Sequence, residues 1–200
     1  IEFRPPRALG LKAAWAAARL MIKDISSRYA GEILAVEPDL VLFSTYISNL
    51  FTSLPLAKEL RRQSGVPIIM GGPGVALKEV YGLILRLGFV DGVIAGEGEK
   101  TAVALASAIE EGGGVPHNLK GLAVLDGEEV SFSPGEIISD LDTLPRPDFT
   151  GMPLSGGSFS DYKRNANNRY HSPYFVGTPV LSTRGCYNRC AYCSETAYWK

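Results

Sequence analysis

The chain is short of cysteine, histidine and net charge, and each shortage narrows what it can do. Its 200 residues hold three cysteines and two histidines. Three thiols with no fourth argue against a disulfide framework and for a reducing compartment, so a cytoplasmic location is expected. Two histidines, His117 and His171, leave little from which to build a zinc site. A formal net charge of -1 gives no electrostatic case for nucleic acid. No apolar run is long enough to suggest a membrane span, and the N-terminus has no signal-peptide pattern. The chain opens on Ile1 and stops at Lys200, and it reads as a piece of something longer.

With 46% hydrophobic and 20% charged residues, the composition is that of a soluble globular protein with room for one domain and part of another. Residues 11–20 are alanine-rich and predict a helix, with a short strand over 22–25. From Asp39 onward, apolar runs at 40–43, 66–70 and 90–95 read as buried strands. Segments over 50–62, 75–87 and 101–110 read as the helices between them. This alternation predicts a parallel sheet covered on both faces, an α/β Rossmann-like arrangement. The segments 122–125 and 130–133, around Asp126-Gly127, predict a β-hairpin that extends or caps the sheet edge. A proline-rich linker follows from residue 139. Residues 155–177, with Arg164 and Arg169, read as surface loop, and 179–182 as a short strand.

Each predicted parallel strand ends in small or polar residues, where such sheets bind ligands. The tips are Ser44-Thr45-Tyr46, Gly71-Gly72-Pro73 and Gly96-Glu97-Gly98-Glu99. Glycines at one strand end only permit a tight turn; three ends alike favour a large ligand lying across them. Gly96-x-Gly98 lacks the later glycine of a dinucleotide fingerprint, so the ligand is of another kind.

All three cysteines fall together in GCYNRCAYCSE, as Cys186, Cys190 and Cys193, a C-x3-C-x2-C pattern. Zinc would need a fourth ligand, and neither histidine stands at a finger-like spacing. A redox pair of Cys190 and Cys193 would leave Cys186 idle. The remaining reading is a 4Fe-4S cluster with one iron left open. Gly185 permits a tight approach, and Arg184 and Arg189 bring positive charge toward anionic thiolates.

The motif, with Tyr192 before its last cysteine and STRG before its first, resembles the signature of radical S-adenosylmethionine enzymes. The order PDLVLFSTY, VPIIMGGPGV and DGVIAGEGEK, then a proline-rich linker, is similar to the cobalamin-binding branch of that superfamily. The resemblance spans roughly residues 5–200 and implies three parts. A cobalamin-binding Rossmann-like domain occupies 1–137, its first strand apparently missing; a linker occupies 138–177; the start of a partial TIM-like barrel occupies 178–200. It implies three cofactors: a 4Fe-4S cluster on Cys186, Cys190 and Cys193, S-adenosyl-L-methionine with its adenine near Tyr192, and cobalamin. The cobalamin positions are Ser44, Thr45, Tyr46, Ser48, Asn49, Gly71, Gly72, Pro73, Gly96, Glu97, Gly98 and Glu99. The D-x-H-x-x-G loop that ligates cobalt from below is absent, which argues against histidine-ligated cobalt.

The activity so implied is methylation of an unactivated carbon of a small molecule. A 5′-deoxyadenosyl radical would abstract hydrogen, the carbon radical would take methyl from cobalt, and an external donor such as flavodoxin or ferredoxin would supply electrons. A cobalamin-dependent radical rearrangement or oxidative cyclisation is the alternative within enzymes. A non-catalytic cobalamin-binding or electron-transfer module is the alternative outside them. No residue beyond the cluster ligands is assigned a catalytic role.

Overall fold

A computed structural model describes residues 8–146, 183–188, 190, 191, 193 and 198. The chain divides into two compact units, one of Ile1–Ile137 with Gly185–Lys200 and one of Ile138–Arg184. The first unit holds a five-stranded sheet. Its elements in chain order are α1 (Ala8–Leu34), β1 (Val41–Ser44), α2 (Leu50–Gln63), β2 (Ile68–Gly71), α3 (Lys78–Arg86), β3 (Gly92–Ile94), α4 (Glu99–Glu110), β4 (Leu122–Asp126) and β5 (Glu129–Phe132). In the second unit the described part holds a 3-10 turn at Leu141–Thr143, whose first amides Asp140 caps by accepting from the Asp142 N–H at 3.0 Å.

The strands lie in sequence order, with β1, β2 and β3 parallel and β4 and β5 added antiparallel. The hairpin therefore extends the sheet edge. Its two-residue connection places Gly127 at φ 60°, a conformation glycine adopts without a Cβ penalty. The parallel strands and alternating helices make the unit Rossmann-like, as the apolar pattern predicts.

Successive strand residues face opposite sides, and two apolar clusters result. Ile68, Met70, Val93 and Ala123 pack with Ala30 of α1, Ala57 and Leu60 of α2, and Tyr81, Ile84 and Leu85 of α3. On the other face Ile69, Ile94, Leu122 and Val124 pack with Leu105 of α4. Burial on both faces explains why β2 and β3 read as continuous apolar runs rather than as alternating ones.

The short strand expected over 22–25 does not form. Helix α1 runs through it, because Ser26 and Ala30 are buried four residues apart while Ile25 points outward. A serine and an alanine make a weak apolar signal, so the neighbouring isoleucines misled the reading. The expected helix at 75–87 starts later: a 3-10 turn at Pro73–Val75 precedes α3, and within α3 Gly82 is buried, where a Cβ would meet the Arg86 guanidinium at 3.2 Å and Val130 of β5 at 3.9 Å.

At the end of the sheet where the parallel strands begin, Asp91 acts as a clasp. Its carboxylate accepts from the Ile68 N–H at 2.7 Å and pairs with Arg61 at the end of α2, while its own N–H donates to the Ile68 carbonyl at 2.8 Å. This pins β2, β3 and α2 at one end and leaves the opposite strand ends to the loops.

Candidate functional site

The strand ends are joined by backbone before any ligand is considered. Thr45 follows β1 and is fully buried. Its N–H and its hydroxyl both donate to the Gly71 carbonyl, at 2.7 and 2.6 Å, and its own carbonyl accepts from the Gly74 N–H at 2.9 Å. The tip of β1 is therefore locked to the tip of β2 on both sides of one residue. The Thr45 side chain is spent on this lock rather than offered to a ligand.

Gly72 and Gly74 allow the lock. A Cβ at Gly72, which sits at φ 95°, would come within 2.6 Å of the Thr45 carbonyl oxygen, and one at Gly74 within 2.7 Å of the Tyr46 backbone. Neither place can hold a side chain, because the obstacle is backbone. Gly71 would tolerate one at ordinary contact distance. At Gly72 and Gly74 the close approach is thus one of loop to loop.

Asn49 organises the loop between β1 and α2. Its side-chain oxygen accepts from the Tyr46 N–H at 2.8 Å and its amide donates to the Ser44 carbonyl at 3.2 Å. Both ends of the side chain are used within the loop, so Asn49 is a staple at the start of α2. Held this way, Tyr46, Ile47 and Phe51 stay 58%, 78% and 78% exposed. Ser44 and Ser48 are also exposed.

The β3 tip differs. Gly96 takes φ 104°, and a Cβ there would meet nothing within 4 Å. Its glycine is required by conformation and opens space rather than filling it. Gly98 stands at the start of α4, whose first residue Glu99 is favourably placed near the positive end of the helix. Lys100 in that turn donates to Glu136 at 2.8 Å, and this bond, with Lys120 nearby, holds the Glu136 carboxyl below its ordinary range.

Three strand tips made of small residues, with the open side of Gly96 and exposed Tyr46, Ile47 and Phe51 in the flanking loop, fit a broad, flat, partly apolar group. Among the described residues the one histidine is His117. It lies 3.9 Å from Asp126, at the end of β4 away from the β3 tip. It cannot reach a group held at the tips.

In the cysteine loop Cys186 and Cys190 are exposed and Cys193 is half-buried. Gly185 adopts φ 79°, and the Cys193 N–H donates to the Cys190 carbonyl at 3.1 Å, which closes a turn between the second and third thiols. Among the described residues no group of three or more cysteine, histidine or acidic side chains converges on a metal position. The donor set fits a cluster by its chemistry, three reachable thiols on one short loop. Tyr198, farther along, donates its hydroxyl to the Gly96 carbonyl at 3.1 Å. Tyr192, Arg189 and His171, the loop at 155–177, the strand expected at 179–182 and the linker beyond residue 146 lie outside the described residues.

The sequence missed the roles of Gly74, Asn49 and Tyr198. A serine or threonine directly after an apolar run, followed by a G-G-P-G turn, is a usable signal for the lock. Nothing local could have paired Tyr198 with Gly96.

A family model matches part of the chain. Residues 18–106, from α1 into α4, match the family model of the B12 binding domain. The match falls on the segment where the order of strand-tip motifs leads one to expect it. Two solved structures are similar, both of the radical S-adenosylmethionine methyltransferase TsrM from Kitasatospora setae. The one with tryptophan substrate and the S-adenosylmethionine analogue aza-SAM is 22% identical, with a TM-score of 0.45 over 54% of this chain and 21% of that one. The one with cobalamin and a 4Fe-4S cluster is 20% identical, with a TM-score of 0.42 over 55% of this chain and 21% of that one. This chain thus spans about a fifth of the length of those proteins. No curated protein matches it. No helix of the described residues is long and apolar enough to cross a membrane.

Proposed function

We propose that the chain belongs to a cobalamin-dependent radical S-adenosylmethionine enzyme that methylates an unactivated carbon of a small molecule. The observation that carries this reading is the occurrence, in one chain, of a match to the B12 binding domain model and of the three-thiol loop Cys186, Cys190 and Cys193. When bound, the cluster with S-adenosyl-L-methionine supplies a carbon-centred radical and cobalamin supplies the methyl group.

The chain's own residues divide the work. Cys186, Cys190 and Cys193 would hold the cluster, and Tyr192 would lie beside the adenine. The Thr45 lock and the Asn49 staple fix the first two strand tips, so the surface offered to cobalamin is rigid before binding and little ordering cost remains. The small residues at Gly71, Gly72, Pro73, Gly96 and Gly98 leave backbone accessible there, with Ser44, Tyr46, Ser48, Glu97 and Glu99 at the rim. An external one-electron donor such as flavodoxin or ferredoxin serves the cluster, and a reducing cytoplasm keeps the thiols free.

Anaerobic reconstitution of the full chain with iron and sulfide tests this directly. We expect an EPR signal of a reduced 4Fe-4S cluster that changes when S-adenosyl-L-methionine is added, together with retention of cobalamin. A cluster signal indifferent to S-adenosyl-L-methionine would overturn the radical assignment. Methyl transfer is tested by mass: a product carrying methyl from labelled S-adenosyl-L-methionine supports it, and an isomerised or cyclised product overturns it.

A further inference from the structure

The bond from Tyr198 to Gly96 joins residues 102 positions apart in sequence, within one compact unit. Tyr198 follows Cys193 in the cysteine segment, and Gly96 opens the loop at the tip of β3. That loop is fixed on either side of Gly96. The Ala95 N–H donates to the Gly121 carbonyl at 3.0 Å, and the Gly98 carbonyl accepts from the Ala102 N–H at 2.7 Å. Between these anchors Gly96 has a left-handed φ and no packing on the side where a Cβ would be. The Tyr198 hydroxyl takes hold of the carbonyl of this glycine. The phenol is half-buried, which shields the bond from competing water.

We propose that Tyr198 is a positioning residue that couples the two cofactor sites. Ordering the cysteine segment around a cluster sets Tyr198, Tyr198 sets the Gly96 peptide, and the Gly96 peptide shapes the surface that meets cobalamin. This rests on the function proposed above. The coupling is reciprocal, so each cofactor tightens the binding of the other by the same factor. Carried by one neutral hydrogen bond, that factor is roughly 2- to 10-fold.

The test measures the Kd of hydroxocobalamin for the full chain with and without its reconstituted cluster, in wild type and in Tyr198→Phe. We expect the cluster to tighten binding several-fold in wild type and hardly at all in Tyr198→Phe, with iron content unchanged. Hydrogen exchange at residues 96–99 is expected to slow on cluster assembly in wild type alone. The same tightening in both proteins, or none in wild type, overturns the coupling while leaving the proposed function standing. Failure of wild type to take up a cluster or cobalamin overturns the proposed function and the coupling with it. Should Tyr198→Phe take up no cluster, exchange at residues 96–99 in the iron-free proteins decides. Faster exchange in the variant supports the role, and equal exchange overturns it.

Discussion

The strand tips and the cysteine loop carry their information in different ways. At the tips of β1 and β2 the polar groups of Thr45 and Asn49 are paired within the protein, and the glycines at 72 and 74 are pressed against neighbouring backbone. The identities of those residues serve the shape of the domain, and the shape serves the ligand. In the cysteine loop the thiols of Cys186 and Cys190 are exposed, and one backbone bond closes the turn between Cys190 and Cys193. There, under the proposed function, the residue type itself would do the work. Substitutions at the tips should therefore be read first in stability and only then in binding, whereas substitutions in the cysteine loop should spare the fold.

The largest expected effect is on the cysteine side. Cys190→Ala should remove the cluster and leave cobalamin binding and the melting temperature of the domain close to wild type. A stable cluster in this variant, by EPR and iron analysis, would show that the ligands are others. Next comes Gly72→Ala, where a methyl meets the Thr45 carbonyl oxygen at a φ that side chains avoid. We expect about 2–3 kcal/mol of lost stability by urea unfolding, with weaker cobalamin binding as a consequence. Gly96→Ala, with strain but open space, should cost about 1 kcal/mol, so the order of the two variants tests whether the loops interlock as described.

Thr45→Val keeps the volume and removes the hydroxyl bond to Gly71. It should cost about 1 kcal/mol and weaken cobalamin binding with no change in the cluster signal. The smallest effect lies far from both sites. Hydrogen bonds from Arg62 and Gln63 hold the Glu59 carboxyl at about 2, below its ordinary 4.5. A depressed carboxyl stabilises the fold above its unfolded value, and that contribution fades as pH falls from about 4.5 toward 2. Glu59→Gln should flatten the melting temperature over that window and change nothing at neutral pH in cofactor binding. Because the pair is at the surface, the change should be slight.

The readability of the chain followed the strength of its local signals. Strands β2 and β3 are buried on both faces, so each shows as an apolar run, and β1 shows as one too although its edge residue Leu42 is exposed; each is found within two residues of its observed bounds. The hairpin was legible because Asp126-Gly127 is turn chemistry between two apolar segments. Helix α1 was read in part, since its buried stripe at Ser26 and Ala30 is small and partly polar while Ile22 and Ile25 suggested a strand. The candidate site was legible by residue type at all three tips and in C-x3-C-x2-C. Which tip residues face a ligand was not, because Thr45 and Asn49 carry the same side chains whether they bind a ligand or a neighbouring carbonyl.

The sequence alone determined the alternation that makes the sheet, the glycine-ended strand tips and the close spacing of three thiols, since periodicity, glycine and cysteine each act through properties of single residues or near neighbours. The tertiary structure decided what lies between them. It spent Thr45 on Gly71, turned Asn49 inward, carried His117 away from the tips and brought Tyr198 to Gly96. Each of these depends on two groups distant in the chain meeting at hydrogen-bonding distance, and that meeting is fixed only when the whole core packs.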